Sequence, residues 1–417
     1  MIATRVMSQF VFRARRRAVV PHWSLKQHLH ESVPFFMPVS SPLHITAPHL
    51  RQDAQEARRR QGMLKRMVLT SIALLMTVLL GAIPLQAVAA SSATPAVLQS
   101  ASLLHKVTIW GETSIDGPAL SSRVDTFEGV TNFNTVLAWT GTDSLHHLNL
   151  LKSSTDPAVR ALRFGSKLTL HETSFAHPAV IQMSPASGGV TILAWTGTDA
   201  AHTLNVLWNA YDTSGQHQVK LTLWGETSIG APALAFWQNS IVLAWTGTDA
   251  NHSLNVLPLS FGTLQRGSKV VLPQFSSLTG PDLSVYSNAA STQLVLNWTT
   301  KAQHLNQAYS TDGVRFTSAL GSVGTPQLSA KAPASVYHQR EGGPEYWMAW
   351  TGTDGAHHLN LQWTTKWPQW PDPTATKTVL GDTALGGPQV AFNDGFLIAW
   401  TGTDGAHTLN VATWEGF

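Results

Sequence analysis

Leu137-Ala138-Trp139-Thr140-Gly141-Thr142-Asp143 has five later echoes in the same chain, at Leu193–Asp199, Leu243–Asp249, Leu296–Thr299, Met348–Asp354 and Ile398–Asp404. Their tryptophans, Trp139, Trp195, Trp245, Trp298, Trp350 and Trp400, follow one another at steps of 56, 50, 53, 52 and 50 residues. Recurrence at a period of ~50 residues marks a propeller, a solenoid or an array, in which each unit buries its apolar face against the next. The repeat decides the architecture before any single residue is weighed. It also means that the most visible side chains can serve the repeat instead of a site.

The copy around Trp245 reads as four strands, A to D. Ala231–Phe236 is a short strand entered through Pro232, with a turn at Gln238-Asn239-Ser240. Ile241–Trp245 is a continuous apolar run, as expected of a strand covered on both faces. Thr246–Asn251 has turn composition, Ser253–Leu257 is the third strand, and Lys269–Leu272 the fourth. Strand A recurs near Gly117, His177, Ala231, Gly280, Ala332 and Gly387, and strand C carries a Leu-Asn pair from Leu148-Asn149 to Leu409-Asn410. Strand D begins with Lys106, Lys167, Lys220, Lys269 and Lys377, and is degenerate near Ala319-Leu320. Four antiparallel strands per unit, repeated radially, predict an all-β, six-bladed β-propeller. The first recognisable strand is a D strand and the last a C strand. The N-terminal strand, Lys106–Trp110, is therefore expected to pair with Leu409–Trp414, completing the C-terminal blade and removing two sheet edges.

The chain divides into residues 1–62, a basic tail assigned to disorder or to a start placed too early; 63–90, a signal peptide or membrane anchor; 91–102, a linker; and 103–417, the propeller. Lys65-Arg66 precede the apolar run Met67–Ala82, and Ala87-Val88-Ala89-Ala90-Ser91 supplies a small-residue processing site. Cleavage there implies secretion. Retention of 67–89 would anchor the protein in a membrane, with the basic flank inside. Residues 1–66 hold 12 Lys/Arg against 3 Asp/Glu, whereas 91–417 hold 15 against 21, so the folded part is mildly acidic. That excludes the basic footprint of a nucleic-acid binder. The absence of cysteine excludes disulfides, thiolate zinc sites and thiol nucleophiles.

Strand B places a small Ala on one face and a large Trp on the other, which suits interlocking of neighbouring blades. The B–C turns pair Asp with His three residues on: Asp143/His146, Asp199/His202, Asp249/His252, Asp354/His357 and Asp404/His407. A general base needs a nucleophile and one pocket, and a metal needs converging ligands. Copies spread around a ring give neither, so no catalytic or metal-ligating set and no cofactor are expected. The plainer role is an Asp that accepts turn amides and a His that pins a neighbouring loop. The D–A loops repeat Glu112-Thr113-Ser114, Glu172-Thr173-Ser174, Glu226-Thr227-Ser228 and, more loosely, Asp382-Thr383-Ala384. B–C and D–A loops leave a blade on the same face, so these phrases share one rim. Two readings stand there: Glu–His hydrogen bonds that lock blade to blade, or shallow polar pockets backed by Trp110 and Trp224 and suited to sugar hydroxyls. Blade four breaks the pattern at Asn297-Trp298-Thr299-Thr300-Lys301-Ala302, with neither Gly nor Asp. Blade five carries a Trp/Pro-rich C–D loop, Lys366–Pro373.

Ser310-Thr311-Asp312-Gly313-Val314-Arg315-Phe316, in a C–D turn, resembles the Asp-box of sialidase-type propellers, with weaker echoes at Ser154-Thr155-Asp156 and Asp212–Gly215. From residue 103 onward the chain resembles propellers of the sialidase-like and propeller-lectin type. Sialidase resemblance would imply an arginine triad, a Tyr–Glu nucleophile pair and an Asp acid/base. The arginines after residue 91 are Arg123, Arg160, Arg163, Arg266, Arg315 and Arg340, and none lies in the Phe/Tyr-Arg-Ile-Pro motif that introduces the first arginine of that family. The catalytic set is not carried over. The expected function is a secreted, monomeric, non-catalytic recognition propeller for a glycan or cell-surface polysaccharide. A glycoside hydrolase of altered chemistry and a protein-interaction scaffold are the alternatives.

Overall fold

A computed structural model describes residues 104–414, apart from 128–129, 157–160, 184–188, 213, 215, 289–290, 320–326, 341–342, 366–374, 376 and 394. The tail, the apolar segment at 67–89 and the whole Lys366–Pro373 loop therefore lie outside the described residues. Among the described residues no helix is long and apolar enough to cross a membrane.

The strands form six four-stranded antiparallel sheets. Blades 1 to 5 are each contiguous in sequence, covering 119–173, 179–227, 233–276, 282–318 and 334–383. Blade 6 takes three strands from Gln389–Trp414 and its fourth from Leu104–Thr113, at the other end of the described chain. The closing strand pairs Val107 with Val411 and Ile109 with Leu409, the register needed to present blade 6 like the others. The six A strands touch in ring order about the axis. Within a blade the register sets Ala233 against Ala244 and Trp245 against Asn255. Strands A and B of blade 3 are joined by Gln238 and Asn239, at φ of 46° and 61°, the left-handed pair that a tight two-residue hairpin needs.

The apolar core is six clusters, one per blade interface. Strand B explains them. Trp245 packs with blade 2, and its neighbour Ala244 packs with blade 4. Trp139 likewise faces blade 6 while Ala138 faces blade 2. All six strand-B tryptophans are at most 2% exposed. The threonine that follows each of them is a buried latch: Thr140, Thr196, Thr246, Thr299, Thr351 and Thr401 donate through Oγ1 to Ala176, Gly230, Thr279, Lys331, Gly386 and Asp116 carbonyls, at 2.6–2.7 Å. The last of these bonds spans the ring closure.

The C–D turn of blade 4 is a closed hydrogen-bonded loop. Ser310 Oγ donates to Asp312, whose carboxylate also accepts from Val314 N and Arg315 N. Gly313 sits at φ 70° against the ring of Trp237. Neighbouring D–A loops pack backbone against backbone around the axis. A Cβ on Gly117 would lie 2.1 Å from the Gly387 carbonyl oxygen, and one on Gly280 2.2 Å from that of Ala231.

Candidate functional site: the repeated rim between blades

Five of the six B–C turns are organised by an aspartate. Asp199 accepts from Ala201 N, Thr203 N and Thr203 Oγ1, at 3.1, 3.1 and 2.9 Å. Asp249 and Asp404 repeat the pattern with Ser253 and Thr408. Asp143 and Asp354 use the ring Nδ1 of His147 and His358 instead, both at 2.8 Å. Partial burial opposes ionisation of these carboxyls. The hydrogen bonds outweigh it and hold all five below the usual aspartate range.

The histidines three residues on have a backbone reason to be where they are. His146, His202, His252, His357 and His407 lie at φ 54–59°. This left-handed turn aims their carbonyls at the next loop, where Ser174, Ser228, Ser277, Ala384 and Ser114 donate N–H at 3.0–3.1 Å. The pinning expected of the histidines is thus done by main chain, and Gln303 does it for Ser329 in blade 4, at φ 63°. The imidazoles turn elsewhere: His202 stacks on Phe175 with centroids 4.0 Å apart. Neither His146 nor His407 lines the cavity that its own aspartate faces.

The Glu-Thr-Ser loops meet a different partner from the histidine expected. Glu112 pairs with Lys167 at 2.8 Å, and Glu172 with Lys220 and Asp382 with Lys106 at 2.5 Å. Glu226 takes Lys269 and Arg266, at 2.5 and 2.6 Å. In every pair the carboxylate belongs to one blade and the lysine to strand D of the next. In three of these pairs the same ammonium lies over an indole of its own blade, Lys106 over Trp400, Lys220 over Trp195 and Lys269 over Trp245, and Lys377 lies likewise over Trp350, all 5.1–5.4 Å from the centroid. Two residues after the lysine, Thr108, Thr169 and Thr222 donate to the Oδ1 of Asn410, Asn149 and Asn205. The amide NH2 groups of these asparagines donate to main-chain carbonyls. That fixes the floor of the site and accounts for the repeated Leu-Asn. The threonines of the two loops close the wall, Thr113 with Thr142 and Thr227 with Thr248, each at 2.6 Å.

These parts enclose open cavities. Between blades 5 and 6 a cavity of about 600 Å³ is lined by Lys106, Trp110, Asp382, Trp400 and Asp404. Between blades 6 and 1, one of about 340 Å³ is lined by Glu112, Trp139, Asp143, His147 and Lys167. In these two cavities the rim therefore joins the carboxylate of one blade to the turn aspartate of the next, as the shared-rim argument required, and leaves His146 and His407 out. The lysines were missed as site residues, although five strand-D lysines at the repeat period were legible as a signal. Blade 4 has no lysine at that strand-D position, and Thr300 Oγ1 takes the place of the turn carboxylate by accepting from His304 N at 3.1 Å.

A second cavity, about 380 Å³, lies on the axis among the A strands, and Asp282 is the one carboxylate in its lining. Asp282 accepts from Ser335 Oγ and from Asn297 Nδ2. Burial pushes its carboxyl up to about 6, against those hydrogen bonds. No group of three or more metal-ligating side chains occurs among the described residues.

No protein-family model matches the chain, and no curated protein sequence matches it. Solved structures do. A mutant Aleuria aurantia lectin in complex with alpha-methyl-L-fucoside is 11% identical, with a TM-score of 0.48 over 73% of this chain and 98% of that one. A Dyadobacter fermentans protein of unknown function is 12% identical, at 0.48 over 74% and 97%. Trypanosoma rangeli sialidase in complex with sialic acid is 10% identical, at 0.46, and this chain covers 76% of itself but 60% of that enzyme. At such identities no ligand or activity passes from these proteins to this one.

Proposed function

We propose that the chain is a secreted, non-catalytic recognition propeller that binds carbohydrate through the pockets repeated along its B–C/D–A rim. The observation that carries this reading is the recurring constellation of a lysine held between a carboxylate and an indole, with a second carboxylate across the opening. Hydroxyls of a sugar need acceptors and donors fixed in space, and its C–H face needs an aromatic or apolar wall. The rim repeats the donors and acceptors at several places and adds an exposed indole at Trp110 and Trp224, so binding to a multivalent glycan would gain avidity of ~10²–10⁴ over one pocket.

Hydrolysis needs two carboxyl groups facing one bond, some 5–10 Å apart. The axial cavity supplies Asp282 alone from its lining, and its carboxyl is engaged by Ser335 and Asn297. In the rim pockets both carboxylates are already engaged, Asp382 by Lys106 and Asp404 by the amides of its own turn and Thr408 Oγ1. Recognition without turnover is the reading these arrangements support. A glycan array probed with the full chain tests it, with fluorogenic glycosides as the parallel assay. Retention of one glycan class without release of fluorophore is expected. Binding to no glycan would turn the argument to a protein-interaction scaffold, and turnover would turn it to a hydrolase.

A further inference from the structure

Trp110 and Trp224 are 84% and 78% exposed, while the six strand-B tryptophans are at most 2% exposed. Both sit in the same phrase, Lys106-x-Thr108-x-Trp110-Gly111-Glu112 and Lys220-x-Thr222-x-Trp224-Gly225-Glu226. The pairing register explains their exposure. Between Thr108 and Thr113, and between Thr222 and Thr227, four residues stand opposite one residue of strand C. In blade 1 only three residues, Leu170-His171-Glu172, fill the same interval. The additional residue is Gly111 or Gly225, each at φ +84° with open space where a Cβ would be. The bulge thus lengthens the strand by a left-handed glycine and leaves the preceding indole outside the sheet. Blade 3 has a bulge of the same length, but Pro273 stands where the other two have tryptophan, and Phe275, two residues on, packs onto Trp298 with centroids 4.8 Å apart. In blades 6 and 2 the aromatic is left in solvent, and Trp110 forms part of the wall of the cavity between blades 5 and 6.

The charge at these two places is also defined. The blade 5/6 pocket holds Lys106 with Asp382 and Asp404, and the equivalent positions between blades 1 and 2 are Lys220, paired with Glu172, and the turn aspartate Asp199. Each has one cation and two anions. The ammonium already stands over the floor indole, Trp400 or Trp195, where a ligand cation would bind. An anionic ligand would meet excess negative charge.

We infer that the rim pockets are unequal: those carrying Trp110 and Trp224 are the principal saccharide sites, and they select neutral sugars over acidic ones. This rests on the reading of the rim as carbohydrate-binding. The indole stacks on the apolar face of a neutral pyranose, and the carboxylates accept from its hydroxyls. The pockets without an exposed indole contribute only to avidity.

The test uses the full chain titrated with methyl hexopyranosides, with a methyl glucuronide, a methyl sialoside and tetramethylammonium as charged probes. Calorimetry gives stoichiometry and the indole N–H resonances give location. The inference expects two principal sites for a neutral glycoside, one after Trp110→Ala or Trp224→Ala, and about tenfold weaker binding or none after both. Both side chains are exposed, so the melting temperature should be unchanged, which separates lost contact from lost fold. Undiminished neutral binding in the double variant overturns the inference while leaving the recognition reading intact. Stronger binding of an acidic glycoside or of tetramethylammonium overturns the charge selection. If no glycoside binds the unaltered chain, both readings fail.

Discussion

The interface between blades 2 and 3 and the one between blades 4 and 5 do the same job with opposite chemistry. The first has a large apolar core, with Ile192, Leu204 and Val206 of one blade against Ile241, Leu243 and Trp245 of the other. The second has a smaller apolar cluster around Tyr286, Val295, Met348 and Trp350. Beside it lies a buried polar network. Asn297 Nδ2 donates to Asp282 and to Ser335 Oγ, while Gln307 Nε2 donates to Asn297 Oδ1 and to the Tyr346 hydroxyl, at 2.7–2.9 Å. In register, the Ala233:Ala244 pair of blade 3 has become Asp282:Asn297 in blade 4. The difference teaches that the ring asks each interface for closure, not for a particular chemistry. An apolar interface draws its strength from area. A polar one depends on each group finding its partner.

The largest expected effect follows from area. Trp245→Ala should cost about 3–5 kcal/mol, the usual loss for a fully buried large side chain. Asn297→Ala removes two donors and one acceptor from the polar network and should cost less, about 1–3 kcal/mol. Urea unfolding of both variants measures the ratio. An Asn297→Ala loss equal to that of Trp245→Ala would mean that the network, and not the area around it, holds blades 4 and 5 together.

The next effect should be visible only at the polar interface. Burial raises the Asp282 carboxyl from its ordinary 3.8 to about 6, so the folded state binds its proton more tightly than the unfolded chain. Stability from this group is therefore complete below about pH 4 and declines as pH rises through about 6. A two-unit shift corresponds to about 3 kcal/mol. Tyr346, the other titratable group of the network, is pushed upward by burial and stays neutral throughout this range. The turn aspartates, held low, act in the opposite sense below pH 4 and are common to any variant. Asp282→Asn can still present one oxygen to Ser335 and Asn297, and its unfolding free energy should lack the fall between pH 4 and 6. Parallel pH profiles for the two proteins would overturn the assignment.

The two interfaces share one device, and it sharpens the comparison. Thr196 in blade 2 and Thr299 in blade 4 both donate to a carbonyl of the following loop, at 2.6 and 2.7 Å. Replacement of either by Val keeps the shape and leaves the carbonyl without its donor, for about 1–2 kcal/mol each. Similar losses in thermal unfolding would show that the latch is indifferent to the chemistry beside it. A silent Thr299→Val would mean a looser blade 4.

Much of this was legible in the sequence, for reasons that differ by residue. The Trp139-to-Trp400 period carried the fold because a blade must bury both faces, which demands the same strand-B run six times. Ring closure followed from the phase of the repeat, a D strand first and a C strand last. The Asp199-type turn was legible because a carboxylate two and four residues from turn amides has few other uses. The Lys220–Glu172 pair was not, because its partners lie in different blades, and sequence order does not say which side chains of neighbouring loops converge. Nor was the Asp282 network. Its members, Asp282, Asn297, Gln307, Ser335 and Tyr346, each look like an isolated polar exception until the register brings them together. The expectation that histidine would act through its ring mistook a main-chain requirement for a side-chain one.

That last point gives the smallest prediction. His202 and Gln303 occupy the same left-handed position, at φ 54° and 63°, and offer their carbonyls to Ser228 and Ser329. A residue with a Cβ is strained there by about 1 kcal/mol, whereas glycine is not, although glycine gives the unfolded chain more freedom. Gln303→Gly should therefore be neutral or stabilising by a few tenths of a kcal/mol, since its carbonyl does the work. His202→Gly relieves the same strain but loses the ring stacked on Phe175 at 4.0 Å, so it should be destabilising by about 0.5–1 kcal/mol. The sign of the difference between the two variants, read from melting temperatures, isolates what the histidine ring adds to a turn that blade 4 builds without it. If Gln303→Gly is the more damaging of the two, the Gln303 side chain carries a contact of its own, and the two turns are not equivalent.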